Sequence, residues 1–214
     1  MSGQIPNKIW LFRIIHIDNL KYVLQHGLHS INHAETDPNY INIGDTNLIG
    51  QRKDYPVKLE GYGNLGDYIP FYFGPLSPML YNIKTGHRGI TKYSQKDIVY
   101  ICCLLPDIIE YCFSWCFTDG HAKARITDFF NNLDDLDKVD WNMVYEKIWN
   151  NNDEDYDRMR RKQAEFLVKD YLPVNCISRI IVFDDTIRKL AVDILNELGL
   201  EIIVKVNWKN KFYY

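Results

Sequence analysis

The sequence predicts an α+β fold in a single domain spanning residues 1–214, and three observations carry that prediction. Apolar runs of strand length recur along the chain, at residues 9–15, 97–105, 164–168 and 179–183. A segment near the C-terminus has helical periodicity: Ile187, Leu190, Ala191, Ile194, Leu195 and Leu198 fall on one face. The chain shows no repeat, no low-complexity segment and no linker, and its 214 residues suffice to bury one core.

The elements follow in order. Ile9 to Ile15 reads as a buried strand ending at His16. Asp18 is placed to cap a helix through Asn19, Leu20, Val23 and Leu24, which Gly27 stops. Residues 29–66 are rich in Asn, Gly and Asp and read as long loops with short elements. A loop region of that length is more often functional than idle. Ile69 to Phe73 forms a short aromatic strand, and Ser77-Pro78 opens a helix over Met79 to Ile83. Asp97 to Leu105 and Ser114 to Phe117 read as further strands. Asp140 starts a helix through Trp141, Val144, Tyr145 and Ile148. An acidic turn at residues 150–157 precedes the basic run Arg158, Arg160, Arg161, Lys162. Ala164 to Val168 and Arg179 to Phe183 are strands. Asp184 or Asp185 caps the periodic helix, Gly199 ends it, and Glu201 to Val206 is the final strand.

Composition narrows the function. A net charge of −3 excludes binding to nucleic acid through bulk positive charge, so any such contact must be local. Fifteen tyrosines and ten phenylalanines supply core packing and, at a groove, surfaces for flat ligands. The five cysteines are odd in number and lack a CxxC pair, which speaks against a disulfide framework. The N-terminus has no leader pattern, and the longest apolar run, Ile98 to Leu105, is too short to cross a bilayer. The expectation is a soluble cytoplasmic protein with no membrane partner.

Several constellations invite chemistry and fail on context. Gly61, Gly63 and Gly66 match a dinucleotide fingerprint in spacing, but a loop precedes them and Asp67-Tyr68-Ile69-Pro70 follows. His26, His29 and His33 lie close together, yet no cysteine or carboxylate spacing completes a metal site, so no metal is expected. Asp134, Asp135, Asp137 and Asp140 lack the order of a calcium loop and read as a solvated face with a helix cap. The run Arg158, Arg160, Arg161, Lys162 can hold phosphates, but its acidic neighbours can balance it, and spacing alone slightly favours balance.

Two segments are more informative. Gln163-Ala164-Glu165 puts an amide and a carboxylate two apart on an expected strand, hence on one face. A carboxylate entering an apolar strand is costly without a partner or a task, and the sequence leaves both open. Asp119-Gly120-His121-Ala122 offers a histidine that is either a proton carrier or a turn residue.

In chain order these segments resemble the DarT-type DNA ADP-ribosyltransferases. His16-Ile17-Asp18-Asn19-Leu20 with Gly27-Leu28 is similar to the family's opening, and residues 43–52 to its arginine-bearing loop. The most specific match is Tyr68-Ile69-Pro70-Phe71-Tyr72-Phe73-Gly74-Pro75-Leu76-Ser77-Pro78-Met79-Leu80-Tyr81. Residues 117–122 and 160–168 complete a likeness that runs from near residue 9 to about residue 183. Leu76 departs from it, standing where many members have a basic residue.

The resemblance implies the ADP-ribosyltransferase fold, a split mixed sheet with NAD+ in the central cleft. It implies a toxin that moves ADP-ribose from NAD+ to a base of single-stranded DNA, thymine before guanine, and a macrodomain antitoxin that removes the mark. It gives Glu165 the central catalytic role and sets Arg52 beside the NAD+ diphosphate. His16 and Asn19 meet the nicotinamide nucleoside end, Tyr72 or Met79 packs on the cofactor, and His121 meets the acceptor base. Trp149, Tyr156, Arg158, Arg160 and Arg161 fall in the expected DNA-recognition segment. The rival readings are an enzyme of the same fold acting on RNA or protein, and a noncatalytic NAD+ or nucleic-acid binding module.

Overall fold

The strands run out from a narrow central junction. In the computed structural model, residues 3–207 and 211–214 are described; Met1 and Ser2, which open the segment without a leader pattern, lie outside them. β1 (Trp10–His16) is apolar apart from Arg13 and its terminal histidine, and it is followed by a 3-10 turn and α1 (Leu20–His26). The expected cap at Asp18 is corrected. His16 Nδ1 accepts from the Asp18 N–H at 3.2 Å, so the histidine caps the turn and Asp18 lies inside it. Gly27 closes α1 with φ 78°, a conformation side chains resist. β2 (Leu28–His29) follows.

α2 (Thr46–Lys53) crosses the stretch read as loop, capped by the Asp45 carboxylate on Leu48 N–H. β3 (Tyr68–Tyr72) and α3 (Pro78–Thr85) fall where expected, with Ser77 accepting from Leu80 N–H. β4 (Ile98–Leu104) passes directly into α4 (Leu105–Tyr111), which the continuous apolar run conceals. β5 (Trp115–Thr118) and β6 (Phe129–Phe130) form a hairpin. α5 (Trp141–Tyr145) stops short of the expected Ile148, and the basic run forms α6 (Arg158–Lys162). β7 (Glu165–Lys169), β8 (Tyr171–Leu172), β9 (Ile177–Val182), α7 (Asp185–Leu198) and β10 (Ile203–Val206) complete the chain.

Eight strands form one mixed sheet in the order β10-β9-β4-β1-β3-β7-β5-β6, and β2 pairs with β8 beside it. β10 and β9 are parallel; the remaining neighbours are antiparallel. β1 meets β4 along all seven residues but meets β3 only at Phe12↔Tyr72. Beyond that pair the strands part, as the expected split sheet requires. Arg13 bridges the gap, donating from Nη1 to the Pro70 carbonyl at 3.0 Å.

The sheet buries both faces. Leu11, Ile15, Phe71, Phe73, Phe117 and Phe166 pack on one, and Phe12, Ile14, Tyr100 and Cys102 on the other. Burying each large apolar side chain contributes about 1.5–3 kcal/mol. All five cysteines are buried free thiols, as their spacing predicts. Among the described residues no helix is long and apolar enough to cross a membrane.

Candidate active site

Where β1 and β3 diverge, a cavity of about 810 Å³ opens, within the roughly 300–1,000 Å³ of small-molecule sites. Its floor comes from strands and its walls and rim from helices and loops. Arg13, Tyr72 and Glu165 line the floor; α2 supplies Arg52, the turn after β5 supplies His121, and Met79, Trp149 and Tyr156 stand around the opening.

Glu165 is the first residue of β7, directly opposite Tyr72 in the β3 ladder. Only 2% of it is exposed. Arg52 grips it as a fork, Nη1 to Oε1 at 3.0 Å and Nη2 to Oε2 at 2.7 Å. The Ala122 N–H adds a third bond to Oε1 at 3.0 Å. Burial alone pushes this carboxyl up, but Arg52, His121 and the Ala122 N–H together outweigh it and hold it below the usual carboxylate range. Burial likewise favours a neutral Arg52, and the Glu165 charge reverses that. Both partners are therefore ionised: a charged carboxylate is fixed on the cavity floor.

The turn after β5 is built around the same group. Thr118 Oγ1 accepts from Glu165 N–H at 3.1 Å and donates to the Gly120 carbonyl at 2.6 Å. His121 N–H donates to Arg160 O at 2.9 Å, and Thr127 Oγ1 donates to His121 O at 2.9 Å. Burial, opposed by Glu165 and reinforced by Arg52, lowers the His121 pKa below its ordinary 6.5. The ring is neutral at pH 7 and able to take a proton. Tyr72, raised by burial and by Glu165, stays a phenol.

The segment after β3 depends on close packing. A Cβ on Gly74 would stand 1.8 Å from the Val144 carbonyl, which excludes any other residue there. Leu76 is buried in the left-handed region at φ 56°, a conformation that costs an ordinary residue of order 1–3 kcal/mol. A buried leucine offers no charge to a phosphate. Lys162, read among the phosphate-holding residues, is 1% exposed and donates to the carbonyls of Pro75 and Val144 at 2.8 and 2.7 Å. Burial lowers its pKa to about 7, so it ties two loops together and does not reach solvent.

Other expected residues have structural partners. His16 is buried against Tyr93, and Asn19 exchanges two hydrogen bonds with Ile41, at 2.8 and 2.9 Å. Neither lines the cavity; Asn19 instead anchors the loop that brings Tyr40 and Ile43 to it. Arg160 bonds Asp119, Asp157 and Thr127, Arg161 bonds Asp140 and Asp155, and Arg158 bonds the carbonyls of Ile148 and Asn150. The basic run is thus satisfied internally, the balancing that its spacing slightly favours. Trp141 is buried and donates to Leu136 O, which anchors its loop to the core. Trp149 donates to the Tyr214 hydroxyl at 2.7 Å while lining the cavity, and Tyr156 is 73% exposed at the rim. Gln163 ends α6 rather than sharing a strand with Glu165, though both reach the cavity. Two contributors escape the sequence reading. Arg13 has one visible signal, a lone charge inside an apolar strand; Thr118 is marked only by lying within residues 117–122, which carry part of the resemblance.

Residues 12–214 match the family described as DarT, ssDNA thymidine ADP-ribosyltransferase. The chain belongs to the DarT family. It is therefore a DNA ADP-ribosyltransferase. A DNA ADP-ribosyl transferase of Escherichia coli O127:H6 is 36% identical over 183 residues, covering 86% of this chain and 84% of that protein. The solved structure of Thermus sp. 2.9 DarT with ADP-ribosylated ssDNA superposes with a TM-score of 0.89 at 28% identity, covering 100% of both chains. The same Thermus protein in complex with NAD+ gives 0.83 at 28% identity, over 98% of this chain and 100% of that one. A DNA ADP-ribosyl transferase-DNA ADP-ribosyl glycohydrolase fusion protein of Thermosipho africanus is 25% identical over 90% of this chain, which matches 47% of the fusion. The DarT membership agrees with the split mixed sheet.

Proposed function

We propose that this protein is a cytoplasmic toxin that transfers ADP-ribose from NAD+ to thymine in single-stranded DNA and releases nicotinamide. The observation that carries the reading is the ionised, bidentate Glu165–Arg52 pair on the cavity floor. In this reading the N-glycosidic bond of NAD+ breaks and neutral nicotinamide leaves with the bonding electrons. Positive charge develops at the anomeric carbon, where the fixed negative charge of Glu165 stabilises it without reorganisation. A ring nitrogen of the base forms the new bond to that carbon, and its proton passes to neutral His121. Tyr72 and Met79 pack on the cofactor, Trp149, only 7% exposed and held by Tyr81 and Tyr214, frames the opening, and the exposed Tyr156 meets unpaired bases. The solved Thermus complexes with NAD+ and with modified ssDNA support the donor and acceptor classes. The Thermosipho fusion supports a partner that removes the mark, an ADP-ribosyl glycohydrolase acting as antitoxin.

The test incubates the protein with NAD+ and single-stranded oligonucleotides that contain either thymine or guanine as the distinguishing base. The expected result is a mass gain of one ADP-ribose unit on the thymine-containing strand, reduced about 100–1,000-fold in rate by Glu165→Gln. Labelling of the guanine strand would overturn the base assignment, and labelling of RNA or protein alone the substrate class. NAD+ binding without nicotinamide release would leave a binding module.

A further inference from the structure

Away from the cleft, the structure completes a cluster that the sequence leaves unfinished. His29, His33 and Glu35 each place one ligand atom within 4.8 Å of the other two. His29 ends β2, whose ladder with β8 fixes its backbone, and the Tyr171 ring lies 4.9 Å from the imidazole. Its side chain is only 6% exposed, yet Nε2 stands 3.6 Å from Glu35 Oε2. The His33 ring stacks on His29 at 4.7 Å. The turn between them is drawn tight: Thr36 Oγ1 donates to the carbonyls of Ser30 and His33, each at 2.7 Å, and Glu35 N–H donates to His33 Nδ1 at 3.2 Å. The carboxylate missing from the histidine spacing comes from Glu35, folded back by this turn.

We propose that His29, His33 and Glu35 bind one divalent transition-metal ion of the zinc class, outside the catalytic cleft. Two imidazoles and a carboxylate are the donor set such ions favour. Ligands about 2.0–2.2 Å from a tetrahedral ion stand roughly 3.4 Å apart. The His29–Glu35 separation is already close to that; the remaining approach falls to Glu35, exposed and free to swing, and to His33, whose ring gives up the Glu35 N–H bond at Nδ1 to present a lone pair to the ion. Three protein ligands leave a position for water. The three bracket the turn that leads to Tyr40, Asn42, Ile43 and Gly44, which line the cleft, and Asn19 holds this loop at Ile41. The ion therefore sits on the segment that leads into a loop of the active site.

The test uses untagged protein stripped with EDTA and titrated with zinc chloride by calorimetry, needing neither NAD+ nor DNA. Wild type is expected to bind one zinc per chain, with the Kd raised about 100-fold in His33→Ala and about tenfold or more in Glu35→Gln. At a hundredfold excess over the wild-type Kd, zinc should raise the melting temperature by about 5–10 °C in wild type, by no more than about 3–6 °C in Glu35→Gln and by about 1–2 °C in His33→Ala. Cobalt should give weak visible bands with no thiolate charge-transfer absorption. Absence of zinc binding, equal affinity in wild type and His33→Ala, or a thiolate-to-cobalt band from the cysteines would each overturn the site. The far-ultraviolet circular dichroism of both variants should match wild type, because His33 and Glu35 lie on a surface turn.

Discussion

Glu165 and Tyr156 face the same cavity, yet one is 2% exposed and the other 73%. Every polar atom of the Glu165 carboxylate has a partner fixed by a strand, a helix or a tight turn. Tyr156 sits in a loop whose charged neighbours are paired with one another. The floor is preorganised, and in the proposed reaction its residues act on charge as it develops. The rim keeps aromatic surface in water and its cations occupied, which suits a flexible strand recognised by stacking more than by ion pairing. On the proposed reading, this contrast is how a chain of net charge −3 meets DNA. Substitutions on the floor should lower kcat, and those on the rim should raise KM for DNA.

After Glu165→Gln, the largest expected effect belongs to His121→Ala, about 100-fold in kcat. The backbone bonds that fix this turn run through the N–H and carbonyl of residue 121 and survive the change. In the proposed mechanism the base form is the active one, so wild-type kcat/KM should fall as pH drops through a pKa below 6.5. Glu165, held below the carboxylate range, stays ionised across that window. A pH–rate profile should show this acid limb in the wild type and none in the variant. Persistence of the limb in His121→Ala would remove histidine from proton transfer.

Arg52→Lys comes next, with a loss of about 10–100-fold in kcat/KM, or roughly 1.4–2.8 kcal/mol of barrier. Lysine keeps the charge and loses the fork. The resemblance assigns Arg52 to the NAD+ diphosphate, whereas in this structure it grips Glu165. Steady-state kinetics separates the two roles. A fall mainly in kcat is expected if Arg52 positions Glu165, and a rise mainly in KM for NAD+ would assign it to the diphosphate.

What the sequence makes legible follows the same division. β1, β3, β7 and β9 are visible because each is a short apolar run buried in the sheet, and α7 because its stripe faces the core with Asp184 and Gly199 at its ends. α2 is invisible because it buries no apolar residue, which leaves Asp45 as its only signal. α6 consists of charges and a methionine, so no periodicity marks it. The Arg52–Glu165 pair joins residues 113 apart in sequence, and only the resemblance brings both to one site beforehand. Spacing cannot reveal that Lys162 turns inward or that Glu35 folds back onto His29, since both depend on loop closure.

The smallest expected effect is also the most direct test of the rim. Tyr156→Ala removes an aromatic face that bonds to nothing else described, so the fold should be unchanged. Stacking on a base is worth about 1–3 kcal/mol, and an exposed ring should lie near the lower end, about a tenfold rise in KM for DNA. Tyr156→Phe should restore binding, because the face and not the hydroxyl does the stacking. Nicotinamide release in the absence of DNA should be unaffected by either change. If Tyr156→Ala instead lowered kcat at saturating DNA, the rim would be part of the preorganised centre, and the separation of the two regions would fail.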